Sequence, residues 1–133
     1  MKNKNGFTLI ELLFVIAIIG ILTLMGLRLY LDQQNYAKNA IVKANAGTVQ
    51  TLIQAELADR DFNNRDEAAL YIAENAGLHN PFNNAAMNGA GDFPDTGDAG
   101  SPGKIQIAFS DGVFSIQGYG ADGLLPDILT ARK

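Results

Sequence analysis

The chain has 133 residues, enough for one small domain and little more. Its 10 Lys and Arg against 14 Asp and Glu give a formal charge of −4, which argues against a nucleic-acid binder with its usual basic face or arm. With no Cys and one His (His79), Cys nucleophiles, disulfides and Cys/His metal sites are excluded, and an enzyme is the weak hypothesis. His79 sits in a Gly/Asn/Pro-rich context with no nucleophile-elbow motif, and reads as a solvent-facing loop residue.

The near-zero mean hydropathy averages two very different halves. Phe7 to Leu27 is a 21-residue apolar run with a single charge, Glu11. As a helix it would be ~31 Å long, about the hydrocarbon thickness of a bilayer. Lys2 and Lys4 precede it, and positive charge on that side favours a cytoplasmic N-terminus. A cleaved secretory signal would be shorter and followed by a small-residue cleavage site, whereas here the chain continues as Arg28-Leu29-Tyr30-Leu31. A plain signal anchor fits the length and charges but leaves Glu11 unexplained. A carboxylate inside an apolar span is costly without a partner, and no Lys or Arg lies within the span. Cleavage after Gly6 would supply one, the new α-amino group of Phe7.

The run Gly6–Leu13, GFTLIELL, resembles the signature of type IV prepilins and of the related type II secretion pseudopilins, most specifically over Lys2–Ile21. The resemblance implies a membrane peptidase that removes residues 1–6 after Gly6 and methylates the new N-terminal Phe7. It also implies an assembly ion pair between Glu11 and the Phe7 amine. Loss of Lys2 and Lys4 would leave 8 basic against 14 acidic side chains, or −6.

From Arg28 to Asp59 there is no Pro and only Gly47, and the residues are mainly good helix formers. Val42, Ala46, Val49, Ile53 and Leu57 recur at steps of three or four, with Leu52 beside them, forming one apolar stripe. Phe7–Asp59 as one helix would run 53 residues, or ~80 Å. Its second half would pack on a small head, while the first must bury its whole circumference in lipid or among identical stems. Phe7, Phe14, Tyr30 and Tyr36 lie along this stem, where packing explains them better than electron transport. Asp61–Asn64 should stop the helix, and Asn64-x-x-Glu67 has the form of a capping box. Arg65–Ala76 then reads as a short helix with Gly77 as its cap.

Gly77–Gly103 holds six Gly and three Pro in 27 residues and is expected to be a long irregular loop. Alternation at Ile105, Ile107 and Phe109, a Ser110-Asp111-Gly112 turn, and Val113–Gln117 with Phe114 and Ile116 on one face predict a hairpin. A third strand near Asp127–Thr130 would complete an antiparallel sheet covering the Val42–Leu57 stripe. Asn80-Pro81-Phe82 and Gly118-Tyr119-Gly120-Ala121-Asp122-Gly123 extend the pilin resemblance more loosely.

Two departures from the family matter. Arg28 stands where many members carry Pro, so Gly20 and Gly26 are the candidates for stem flexibility, each weakening a helix by roughly 1 kcal/mol relative to Ala. The C-terminal disulfide of many relatives is impossible here, so Gly118–Lys133 must be held by packing and hydrogen bonds alone.

The expected fold class is α+β, a long N-terminal helix on a small antiparallel head. It divides into a leader (1–6), a transmembrane or filament-core helix (7–30) and a head (31–133). The resemblance implies a non-enzymatic subunit that polymerises through its helix into a type IV pilus. A type II secretion pseudopilin is the alternative, and a membrane-anchored monomer a third reading. Its partners would be identical copies, a prepilin peptidase and an inner-membrane assembly platform. It would sit once-spanning in the inner membrane, N-terminus cytoplasmic, before entering an extracellular or periplasmic filament. No cofactor is expected. Major pseudopilins bind calcium near their own Gly-Ala-Asp-Gly, which by resemblance gives Asp122 some support as a ligand; Asp127 is the other weak candidate, and no metal site is expected. Asp92, Asp95 and Asp98 lack the dense ligand run of a calcium loop, and a solvated acidic loop outweighs that reading.

Overall fold

A computed structural model describes residues 6–133; the leader lysines Lys2 and Lys4 lie outside the described residues. The elements in chain order are α1 (Leu9–Asp59), α2 (Arg65–Asn75), a single 3-10 turn (Ala90–Asp92), β1 (Ile105–Ser110), β2 (Val113–Gly120) and β3 (Gly123–Arg132). The pilin-like α+β architecture expected from the sequence is the one observed. Two compact units divide the molecule between Gln34 and Asn35.

Within Asn35–Lys133 the apolar stripe of α1 is the heart of the core. Val42, Val49 and Ile53 are fully buried, with Ala46 and Leu57 beside them. Ala68, Ala69, Ile72 and Ala73 of α2 close on this core from one side, and Ile105, Ile107, Phe114 and Ile116 of the sheet from another. Phe62, in the link between the helices, stacks edge-on against Phe114 with ring centroids 5.8 Å apart, an arrangement that adds to its area burial.

Asn64 caps α2 by accepting the Glu67 N–H at 2.9 Å. The Glu67 carboxylate reaches back to the N–H of Asn63 rather than of Asn64, so the reciprocal half of the box is displaced by one residue. Gly77, at φ +59°, occupies the left-handed position that follows the helix end. The Gly77–Gly103 segment is irregular but not featureless, because His79 bridges to Ala86 and Ala90–Asp92 forms the 3-10 turn. The buried Asn80 ties it down, donating to the Pro102 carbonyl and accepting from the Phe82 N–H.

The sheet is antiparallel with order β1-β2-β3. Asp111 and Gly112, both at positive φ, make the tight primed turn of the β1–β2 hairpin. β3 is far longer than the predicted Asp127–Thr130. Its register jumps from Gln117↔Ile128 to Tyr119↔Leu124, so Leu125, Pro126 and Asp127 together oppose Gly118 alone. A proline cannot donate to a ladder, and a bulge on an edge strand is where it is tolerated. Gln117 fills the gap by donating to the Leu125 carbonyl at 2.6 Å.

Both sheet edges are occupied. On β3, Gln50 of α1 donates to the Thr130 carbonyl, and Gln54 both donates to and accepts from the Arg132 backbone. On β1, the Ile107 N–H donates to the Pro94 carbonyl while Arg65 donates to the Ile107 carbonyl. The Arg65 guanidinium also donates to the Phe93 carbonyl, so one side chain joins α2, the loop and the sheet. These contacts hold the C-terminal strand without a disulfide.

Candidate functional site

Gly6, Phe7 and Thr8 are exposed and non-helical, and α1 begins at Leu9. The Glu11 carboxylate accepts the Thr8 backbone N–H at 2.9 Å, and the Thr8 hydroxyl accepts the Glu11 N–H at 3.3 Å. This is a reciprocal capping box: two N–H groups with no partner inside the helix are satisfied by each other's side chains. Sequence reading assigned Glu11 only to an ion pair and missed Thr8. The signal was present as Thr8-Leu9-Ile10-Glu11, a Thr-x-x-Glu run at the start of an apolar helix. The box leaves Gly6–Phe7 as an accessible, non-helical pair and places the Glu11 carboxylate on the N–H of Thr8, the residue that follows Phe7.

Beyond the cap, every residue from Leu9 to Ala37 is exposed, and large apolar side chains occupy all sides of the helix. Phe7, Phe14, Tyr30 and Tyr36 are exposed with them. Thr23 donates to the Ile19 carbonyl at 2.7 Å, which satisfies the hydroxyl within the helix itself. Gly20 and Gly26 are both helical, and a Cβ at either would meet nothing within 4 Å. α1 is long and apolar enough to cross a membrane.

Four of the candidate acidic residues of the head are engaged in local structure. Asp92 accepts from the Gly89 N–H, Asp95 from the Thr96 N–H and Asp98 from the Asp95 N–H, each shaping a turn. Asp127 pairs with Lys43 at 2.6 Å, and that carboxylate holds the Lys43 ammonium above its ordinary range. Asp122 lies exposed in the β2–β3 turn. Among the described residues no group of three His, Cys, Asp or Glu side chains is placed to hold a metal ion. His79 is exposed, and its carbonyl accepts from Asn45.

Residues 1–27 match the family model of the prokaryotic N-terminal methylation motif. The chain is 45% identical over 58 residues to fimbrial protein EcpB of Eikenella corrodens, covering 44% of this chain and 36% of that one. It is 36% identical over 78 residues to the type IV major alpha-pilin of Moraxella bovis, covering 59% of this chain and 49% of that one. Fimbrial protein Q of Moraxella bovis matches equally, over 50% of its length. The chain thus spans half or less of the curated relatives it matches. No solved structure matches it.

Proposed function

We propose that this chain is a type IV pilin-like structural subunit that polymerises through α1 into a surface pilus after cleavage between Gly6 and Phe7, a reading supported by its N-terminal methylation motif and its likeness to fimbrial and pilin proteins. The observation that carries the reading is the stem: Leu9 to Leu31 buries nothing in the single chain, although its side chains are those of a protein core. Fully burying one such side chain is worth about 1.5–3 kcal/mol, which drives the stem out of water and into lipid; its transfer into a bundle of like stems then rests on close packing and polar contacts between helices. The fimbrial and pilin relatives favour a surface pilus over a periplasmic pseudopilus.

Cleavage frees the Phe7 amine, which is then methylated, and gives Glu11 a cation it did not have. In the membrane the Glu11 carboxylate is held by the Thr8 N–H; in the bundle it also faces the Phe7 ammonium of a neighbouring copy. Removing one partner of a buried ion pair costs ~3–5 kcal/mol, enough to stop subunit addition.

The test uses two substitutions that separate charge from capping. Glutamine at the third helical position still completes a capping box, so Glu11→Gln removes only the charge, whereas Glu11→Leu removes both. Both variants should reach wild-type membrane levels with Gly6–Phe7 cleavage intact, and both should yield few or no filaments by immunoblot of sheared surface material. Wild-type filament yield from Glu11→Leu overturns the assembly role of Glu11, and absence of filaments from the wild-type chain itself returns the segment to a simple anchor. Short periplasmic filaments in place of surface ones select the pseudopilus.

A further inference from the structure

The loop between α2 and β1 carries Met87-Asn88-Gly89-Ala90, and it is pinned on either side of Asn88. Met87 is buried, with its N–H donating to the Leu78 carbonyl at 2.8 Å, and Phe93, after the 3-10 turn, is fully buried. Between these anchors the Asn88 side chain is exposed. The Gly89 N–H is held by a side chain, donating to the Asp92 carboxylate at 3.1 Å.

The fold does not demand glycine at position 89. Its φ of −122° and ψ of 150° are open to any residue, and a Cβ there would meet only Asp92 Oδ2, at 3.6 Å, an ordinary contact. What the missing Cβ leaves is an uncrowded backbone nitrogen beside an exposed side-chain amide. The other asparagines of the described residues lack that pairing. Asn35, Asn39 and Asn45 lie within α1, and Asn75 ends α2. Asn64 is occupied as a cap, and Asn80 precedes Pro81, which has no N–H. Asn63, Asn83 and Asn84 are each followed by a residue that carries a Cβ. Asn5, which also precedes a glycine, lies outside the described residues.

We propose that Asn88 is a self-deamidating site whose rate is set by the hold of Asp92 on the Gly89 N–H. The Gly89 nitrogen gives up its proton and bonds to Asn88 Cγ, the Cγ–Nδ2 bond breaks, and the amide nitrogen leaves with that proton as ammonia. Water then opens the resulting cyclic imide and restores the N–H. Opening at Cγ gives aspartate in the ordinary chain; opening at the backbone carbonyl gives isoaspartate, whose chain runs on through Cγ. Asp92 is the brake, because a carboxylate that accepts an N–H opposes loss of its proton, which would set two negative charges together. Each event adds one negative charge to a chain already at −4, so older copies become more acidic than new ones. The site stands independently of the polymer reading above.

The full-length chain, held at neutral pH and growth temperature, digested with trypsin and mapped by tandem mass spectrometry, reads the site directly. Aspartate and isoaspartate should accumulate at position 88 while Asn63, Asn83 and Asn84 stay amides. Gly89→Ala, which the local geometry accommodates, should slow the change many-fold, and Asp92→Ala should speed it several-fold. An Asn88 that stays an amide, or that changes no faster than Asn83 and Asn84, overturns the site, as does a wild-type rate from Gly89→Ala. A wild-type rate from Asp92→Ala overturns the hold assigned to Asp92. So does an acceleration shared by the other asparagines, which means that the whole head has opened.

Discussion

One helix, α1, meets two different demands. From Leu9 to Leu31 it is apolar on every side and exposed; from Val42 to Leu57 it is apolar on one stripe, and that stripe is buried. The head half carries its own partners in the chain, namely α2, the sheet and the two glutamines that hold β3. Among the described residues the stem half shows only its own cap and the Thr23 hydroxyl bonded within the helix. A helix whose hydrophobic surface exceeds what its own domain covers is specified for a second environment. The same residue types therefore contribute to folding in one half and, in the function proposed above, to insertion and assembly in the other.

The largest expected effect breaks the symmetry between two isoleucines. Ile53 is fully buried, and Ile53→Ala should cost 2–5 kcal/mol of head stability, since atoms are lost and a cavity remains. Ile16 is 57% exposed, and Ile16→Ala should leave head unfolding unchanged in detergent-solubilised protein. Thermal melts of the two variants beside wild type measure this directly. Equal shifts mean that the stem belongs to the same cooperative unit as the head.

Glycine gives the same contrast with opposite signs. A Cβ on Gly118 would collide with Val42 and meet Leu125 at 3.4 Å, so Gly118→Ala should lower head stability by about 1–3 kcal/mol. At Gly20 a Cβ meets nothing, so Gly20→Ala should strengthen the helix by ~0.5–1 kcal/mol. The readouts are the melting midpoint for the first and amide exchange along the stem for the second. A smaller step comes at α2, where Asn64→Ala removes the cap on the Glu67 N–H and should cost about 1 kcal/mol, again read by melting.

What could be read beforehand follows the range of the forces involved. The stripe of α1 and the β1–β2 hairpin carry their own periodicities, and both elements stand where those periodicities put them. β3 does not advertise its length. Of its ten residues only Ala131 is buried, Leu125 and Leu129 are half-buried, and Pro126 interrupts the alternation. An edge strand supported by Gln50 and Gln54 needs little hydrophobic signal of its own. The Lys43–Asp127 pair joins α1 to the bulge of β3 across residues distant in sequence, for which no local pattern exists. Thr8 was legible by its spacing to Glu11, but the cost of a carboxylate in an apolar run drew attention to the charge rather than to the cap.

The smallest expected effect tests whether the end of the head half is held by polar contacts that the stem lacks. Glu56, near the end of α1, is held below the usual carboxylate range, first by the Tyr71 hydroxyl and then by Arg60. The same contact holds the Tyr71 phenol above its usual range, first because its proton is engaged by the Glu56 carboxylate, then through burial and the repulsion of two negative charges. The signs differ at the two ends of the pH scale. A lowered carboxylate contributes stability above its unfolded pKa of ~4.3, and this is lost as pH falls through the lower folded value. A raised phenol contributes stability below ~10, lost as pH rises through the higher folded value. Exposure of Arg60 keeps the ionic share small and salt-sensitive. Melting midpoints of wild type should therefore fall at both extremes, and Tyr71→Phe, which removes the hydroxyl but keeps the ring against Phe62, should flatten both limbs. If the acid limb of Tyr71→Phe matches that of wild type, Arg60 alone holds Glu56, and high salt should then abolish the acid limb in both chains.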